Sequence, residues 1–205
     1  MHIPDGIISV TPLIIFTIIT ICLLIVIFYK SKDILSNEKI IPLIALFIVA
    51  TVIVQYIELP LPVTACVHIS LITIIALYDL RTSMIVYMFV TIIQAFLGEG
   101  GISTLGVNLL NLAILAPLIA YGLYTLLSRF NKDVALFISG FGTITLLGLI
   151  VSMELAICNV YPIQYGLFTI VPVEAIVGVL EGVVTVIVMK ALYKAKPELV
   201  PVMSN

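Results

Sequence analysis

Residues 7–29 read IISVTPLIIFTIITICLLIVIFY, an apolar run with no acidic, basic or histidine side chain. Crossing about 30 Å of hydrocarbon takes about 20 apolar residues in a helix, so length and composition make this stretch a membrane span. The pattern recurs along the chain. Further apolar segments cover residues 40–57, 62–78, 82–97, 105–127, 134–158 and 169–193. The breaks between them carry turn residues, among them Leu59-Pro60-Leu61-Pro62, Gly98-Glu99-Gly100-Gly101 and Tyr161-Pro162. With 62% hydrophobic and 10% charged residues the chain lies far from soluble domains, which carry about 25% charged residues. No polar stretch is long enough for a second, soluble unit. The expected fold is all-α: a polytopic membrane helix bundle of seven transmembrane helices, forming one integral membrane domain over residues 1–205.

The basic residues orient that bundle. Lys30, Lys32 and Lys39 follow the first span, and Arg81 lies between the third and fourth. Arg129 and Lys132 follow the fifth, and Lys190, Lys194 and Lys196 end the seventh. All nine basic residues therefore fall on one side, which the positive-inside rule assigns to the cytoplasm. The N-terminus is expected outside and the C-terminus in the cytoplasm. Asp5, Glu58, Glu99, Glu154 and Glu174 lie towards the outer ends without basic neighbours. Such an outer acidic vestibule concentrates cations, although each carboxylate taken singly is more often a solvated loop residue.

Both histidines, His2 and His68, fall on the outer side. With the third span read as a helix, His68 lies about 9 Å deep at 1.5 Å per residue. An extended tail of residues 1–6 reaches about 17–20 Å, so it can insert into the bundle and meet His68. An intramembrane histidine marks a functional site by default; the competing reading is a histidine satisfied by a carbonyl or hydroxyl, or, for His2, a loose terminus. Together the two define a ligand set. The α-amine of Met1 with the amide nitrogen and imidazole Nδ1 of His2 form fused chelate rings, and His68 supplies a fourth nitrogen. Four nitrogens in a plane suit Ni(II) or Cu(II), whereas Mg(II) and Ca(II) prefer oxygen. Pro4 stiffens the turn after the chelate. Cys66 completes a C-x-H pair with His68, but residues two apart on a helix point to different faces.

Glu181 sits near the middle of the seventh span, where an ionisable group is costly and is either paired or protonated. Gln94, Asn108 and Asn111 flank the glycine loop; amides there cross-link helices or hold the loop over a site. The sequence contains no HExxH, no P-loop and no nucleophile–base set. It is read as a non-enzyme without its own ATPase motif and without a nucleic-acid partner.

Three stretches carry a family resemblance: MHIPDG at residues 1–6, IQAFLGEGGISTLGVNLLNLAILAP at 93–117, and VPVEAIVGVLEGVVTVIVMKAL at 171–192. With the histidine of the third span, they resemble the CbiM/NikM family, the substrate-binding membrane component of energy-coupling factor transporters for nickel and cobalt. The resemblance covers essentially the whole chain. It implies a seven-helix fold with the tail plugged into the bundle, and metal ligands that map onto Met1, His2 and His68. It further implies a multi-pass protein in the plasma membrane of a prokaryote, surrounded by lipid. The implied partners are a transmembrane coupling component, cytoplasmic ATPase subunits and often a small accessory membrane protein. In the cobalt branch the ion feeds cobalamin synthesis. Two features depart from the family pattern. Residues 63–67, VTACV, replace a glycine-rich lead-in to the histidine, and Glu99 stands where histidine or aspartate is common.

The leading expectation is thus a subunit that captures Ni(II) or Co(II) as transported ligand, without a prosthetic group. Asp5 and Glu99 would lie around the site or on its access route, and Gln94 and Asn108 would fix the loop over it. The rival reading is a stand-alone secondary transporter of a small organic substrate with Glu181 as proton carrier; inverted repeats would mark it, and none is evident.

Overall fold

The computed structural model describes residues 2–57, 59–60, 66–67 and 69–204. After an irregular N-terminal tail come α1 (Val10–Lys30), α2 (Lys32–Leu35) and α3 (Ile41–Gln55). A two-residue antiparallel ladder follows, β1 (Leu59–Pro60) with β2 (Cys66–Val67), pairing Leu59 with Val67 and Pro60 with Cys66. Then come α4 (Ile72–Tyr78), α5 (Leu80–Leu97), α6 (Leu105–Leu127), α7 (Lys132–Ile157) and α8 (Ile163–Ala195). A 3₁₀ turn (Pro197–Leu199) and α9 (Pro201–Ser204) close the described chain. Among the described residues every regular element apart from that ladder is helical. Among the described residues five helices, α1 and α5–α8, are long and apolar enough to cross a membrane, and α3 is a shorter apolar helix.

Exposed apolar side chains suit a bilayer rather than water. Val10, Ile18 and Ile25 of α1 and Phe168, Ile176 and Ile187 of α8 all face outward. The main core instead lies around α4 and α5, where Ile72, Ile75, Ile85, Tyr87 and Val90 are buried with Ala113 and Leu147. Helices α7 and α8 approach closely where glycine meets glycine: a Cβ on Gly140 would lie 2.7 Å from Gly182 Cα. Close backbone approach of this kind is how small residues serve helix contacts in membranes.

Two irregularities have local causes. Within α6 the backbone widens into a π-helical turn over Leu110–Leu115, just before Pro117. Proline lacks the N–H of a regular turn and its ring crowds the preceding one, and a widened turn absorbs both. The second irregularity corrects the expectation of a transmembrane helix over 62–78. Among the described residues, helix begins only at Ile72, after extended backbone at Cys66–Val67 and a turn with Leu71 at φ +60°. Irregular backbone at membrane depth survives only where protein covers it and satisfies its polar groups. Ile72 to Leu77 are accordingly all buried. The helical premise used to separate Cys66 from His68 does not hold at Cys66.

The end opposite the tail gathers basic residues into specific contacts. Arg81 forms a fork on Asp33 at 2.8 and 3.0 Å and donates to the Lys30 carbonyl at 2.6 Å, joining α1–α2 to the start of α5. Asp79 caps α5 by accepting from the Thr82 N–H at 2.7 Å. Lys190 pairs with Asp133 at 2.7 Å across α7 and α8.

Candidate functional site

The N-terminal tail is docked by a dense set of polar contacts. Asn108 on α6 accepts from the Ile3 N–H at 2.9 Å and donates to the Ile3 carbonyl at 3.0 Å. The Thr104 hydroxyl donates to the same carbonyl at 2.6 Å. An asparagine side chain carries one carbonyl and one amide, so it complements both backbone groups of a single residue. Each such group left unmet in a buried site costs about 1–3 kcal/mol. Ile3 and Ile8 are buried against Val107, Val151, Leu155 and Cys158, each worth about 1.5–3 kcal/mol of apolar burial.

The glycine loop is shaped to the tail. Gly100 has φ +84°, and a Cβ there would lie 3.0 Å from His2 Cβ and 3.1 Å from Asn108 Nδ2. A Cβ on Gly101 would come within 2.2 Å of Asp5 Oδ1. Asp5 itself accepts from the backbone N–H groups of Ser103 at 2.7 Å and Ile102 at 3.1 Å, and from the Ser103 hydroxyl. His2 also lines a cavity of about 610 Å³ with Ile3, Pro4, Tyr161, Tyr165 and Glu174. Glu174 lies against α7 where Gly148 has no side chain.

The Ser103 hydroxyl, helped by the Ser103 and Ile102 amides, holds the Asp5 carboxyl below the ordinary carboxylate range despite some desolvation. A depressed pKa in the docked state means that Asp5 favours docking above its undocked pKa, about 3.9. That contribution is lost as pH falls through the lower docked value. Protection factors at residues 2–6 should therefore show no Asp5-linked change between about pH 5 and 8 and fall only in stronger acid. Asp5→Asn, which sets an NH₂ group against a backbone N–H, should lower the same protection already at pH 7. Unchanged protection in Asp5→Asn would reject this role.

A second polar network runs through the interior. Glu181 on α8 accepts from the Ser70 N–H at 2.8 Å and the Ser70 hydroxyl at 2.9 Å. The Ser70 carbonyl accepts from Tyr87 Oη and from Gln55 Nε2, the latter at 3.1 Å. Gln94 Nε2 donates both to Gln55 Oε1 and, at 2.9 Å, to Glu99 Oε2. The chain of contacts thus runs from the glycine loop to the middle of α8. Separately, Asn111 in the widened turn of α6 donates to the buried Glu154 at 2.7 Å.

Of the residues singled out from the sequence, His2, Asp5 and Asn108 meet at the docked tail, while Gln94, Glu99 and Glu181 belong to the interior network. Met1, His68 and Glu58 lie outside the described residues. Among the described residues no three His, Cys, Asp or Glu side chains gather into a metal-binding group. Sequence reasoning missed Ser70, Gln55, Tyr87 and Thr104. A polar residue two positions after His68 and a glutamine ending an apolar span were the available signals.

A polytopic helical membrane protein whose N-terminal tail docks on its own helices is a specific architecture. The family model described as the cobalt uptake substrate-specific transmembrane region, CbiM, matches residues 2–199. The chain belongs to that family. It is 29% identical over 98% of its length to the "Putative fused nickel transport protein NikMN" of Archaeoglobus fulgidus, covering 68% of that protein. It is 24% identical over 95% of its length to the cobalt transport protein CbiM of Thermosipho melanesiensis, covering 87% of it. A crystal structure of a transition metal transporter superposes with a TM-score of 0.86 at 25% identity, covering 97% of this chain and 95% of the other. A truncated transition metal transporter gives 0.84 at the same identity, over 95% and 99%.

Proposed function

We propose that this chain is the substrate-capture subunit of an ATP-driven energy-coupling factor importer, taking Ni(II) or Co(II) from outside and passing it across the membrane. The observation that carries the reading is the docked tail, with Ile3 bound by Asn108 on both backbone groups and His2 set against Gly100. A tail so held can offer the α-amine of Met1 with the amide nitrogen and imidazole of His2 to one ion, with His68 as the fourth nitrogen. Asn108 and Asp5 fix the tail and the glycine loop to each other, and Gln94 and Glu99 fix the loop to the interior. Nickel is named for the Archaeoglobus relative and cobalt for the Thermosipho relative, and a nitrogen-rich site accepts either ion.

The membrane topology of this reading has seven crossings within one domain over residues 1–205. The third crossing is made by the 59–78 stretch, whose described elements are extended at Leu59–Pro60 and Cys66–Val67 and helical over Ile72–Tyr78. Parity supports it: α3 starts beside Lys39 and α5 starts beside Arg81, so the chain between them has to traverse twice. Basic residues at the end opposite the tail put that end in the cytoplasm and the N-terminus outside. A transmembrane coupling component, cytoplasmic ATPase subunits and a small accessory membrane protein complete the importer, and cobalamin synthesis is the use of imported cobalt. The chain itself acts as a transport subunit, not an enzyme.

The test is titration of the purified protein, begun at Met1, with Ni(II) and Co(II), alongside His2→Ala and His68→Ala. Each substitution removes a direct ligand, so affinity should fall by more than the about 10–100-fold typical of supporting residues. Undiminished affinity in both variants would reject the site.

A further inference from the structure

We infer that Glu181 is a positioning residue, the anchor that holds the Ser70–Leu71 break in place and with it the segment that follows His68. The consequence for metal binding rests on the site proposed above; the anchoring itself does not. Every polar atom of Ser70 is engaged by a side chain or by the next turn. Its N–H and hydroxyl go to the two oxygens of Glu181. Its carbonyl is met by Gln55 and Tyr87, and its Oγ also accepts from the Ile72 N–H at 3.2 Å, opening α4. Three separate helices, α3, α5 and α8, thus converge on one serine.

Such convergence has a physical reason. Leu71 adopts φ +60°, a conformation costing a non-glycine residue about 1–2 kcal/mol, and α4 starts immediately after it. Outside a regular helix, buried backbone of this kind persists only where side chains satisfy its polar groups. Glu181 is 1% exposed, and both of its oxygens act as acceptors towards the break. A carboxylate offers two parallel acceptors at a fixed spacing, which matches the N–H and O–H of one serine. Because Gln55 also joins Gln94, and Gln94 joins Glu99, the same anchor is tied to the loop that receives the tail. The two halves of the site are thereby set relative to each other by one buried network.

This assignment differs sharply from that of a proton carrier. A carrier needs a carboxyl group that gains and loses a proton; an anchor needs two hydrogen-bonding atoms in the right place. Glu181→Gln separates the two. Its Oε1 can accept from the Ser70 N–H while its NH₂ donates to Ser70 Oγ, so the anchor survives without a titrating group. Glu181→Leu keeps the bulk and loses both bonds.

The experiment compares wild type, Glu181→Gln, Glu181→Leu and Ser70→Ala as full-length protein in detergent. The first readout is hydrogen exchange at residues 69–75, measured without metal. The second is Ni(II) titration followed by the visible absorption of the bound ion, with His2→Ala as the reference for a lost ligand. Glu181→Gln should keep wild-type protection and affinity. Glu181→Leu should lose protection and bind about 10–100-fold more weakly, the usual cost of removing a residue that orients a ligand. Ser70→Ala, which keeps the carboxylate and one of the two bonds, should fall between and decides the matter if Glu181→Leu does not fold. Equal losses in Glu181→Gln and Glu181→Leu, or wild-type protection in both Glu181→Leu and Ser70→Ala, would overturn the anchor. Failure of the wild type to bind Ni(II) or Co(II) would overturn the proposed metal site instead, and the exchange data would still judge the anchor.

Discussion

Gly101→Ala should expel the N-terminal tail from its cleft. The added methyl would meet Asp5 Oδ1 at 2.2 Å, Thr104 Oγ1 at 2.5 Å and Asp5 Cγ at 2.6 Å. Neither neighbour can simply turn away. Asp5 is held by two amides and a hydroxyl of the 102–103 segment, and Thr104 Oγ1 donates to the Ile3 carbonyl. Gly101 is also a clean probe, because its φ lies outside the left-handed region and the substitution adds bulk without backbone strain. Forcing a methyl into a packed site costs about 1–3 kcal/mol. Borne by the docking equilibrium, that cost is about a 5- to 150-fold loss. Protection of residues 2–6 and affinity for Ni(II) should fall together by that factor. Gly122→Ala is the matched control, since nothing lies within 4 Å of a Cβ there, and it should leave both unchanged. A docked tail in Gly101→Ala would show that the loop yields where the hydrogen bonds say it is fixed.

Hydropathy located α1, α3 and α5–α7 to within a few residues, and α8 except for a start six residues earlier, because a membrane helix must satisfy its own backbone and expose apolar side chains. The same signal misread Cys66–Val67 and residues 69–71. Val, Ala, Cys, Ile and Leu are as apolar in an extended segment as in a helix, and hydropathy reports what surrounds a side chain, not how its backbone runs. What decides the break is the contact of Ser70 with a carboxylate 111 positions away, and no local pattern announces such a partner. Glu181 was legible as a costly charge for the complementary reason: its expense is local, whereas its partner is not. The tail was legible in part. Its reach and its donor atoms follow from MHIPDG, but its reception by Asn108, Thr104 and Gly101 depends on how α6 and the glycine loop lie across it. Asp5 illustrates the difference. Sequence alone left it between an access route and a role around the site, whereas its hydrogen bonds commit it to the 102–103 backbone.

One residue added before Met1 should remove metal binding while leaving the tail docked. The extension turns the α-amine into an amide nitrogen, which ligates only after losing a proton. It moves the new amine a full residue beyond the place the docked tail gives it, so in that position the tail no longer sets an amine beside the His2 amide nitrogen and imidazole. No side chain changes, and every contact of Ile3 and Asp5 with Asn108, Thr104 and the 102–103 amides remains available. Affinity for Ni(II) and Co(II), read by equilibrium dialysis with metal analysis, should drop by more than the about 100-fold upper range for losing a supporting residue. Protection of residues 3–6 should stay at the wild-type level. The pairing of this variant with Gly101→Ala separates two properties that a histidine substitution alone leaves mixed. Gly101→Ala weakens docking and binding together, whereas the extension weakens ligation in a tail still in place. Wild-type affinity in the extended protein that still depends on His68 would remove the α-amine from the ligand set, whereas affinity that survives His68→Ala would show the extended tail ligating alone through its new amine, two amides and imidazole.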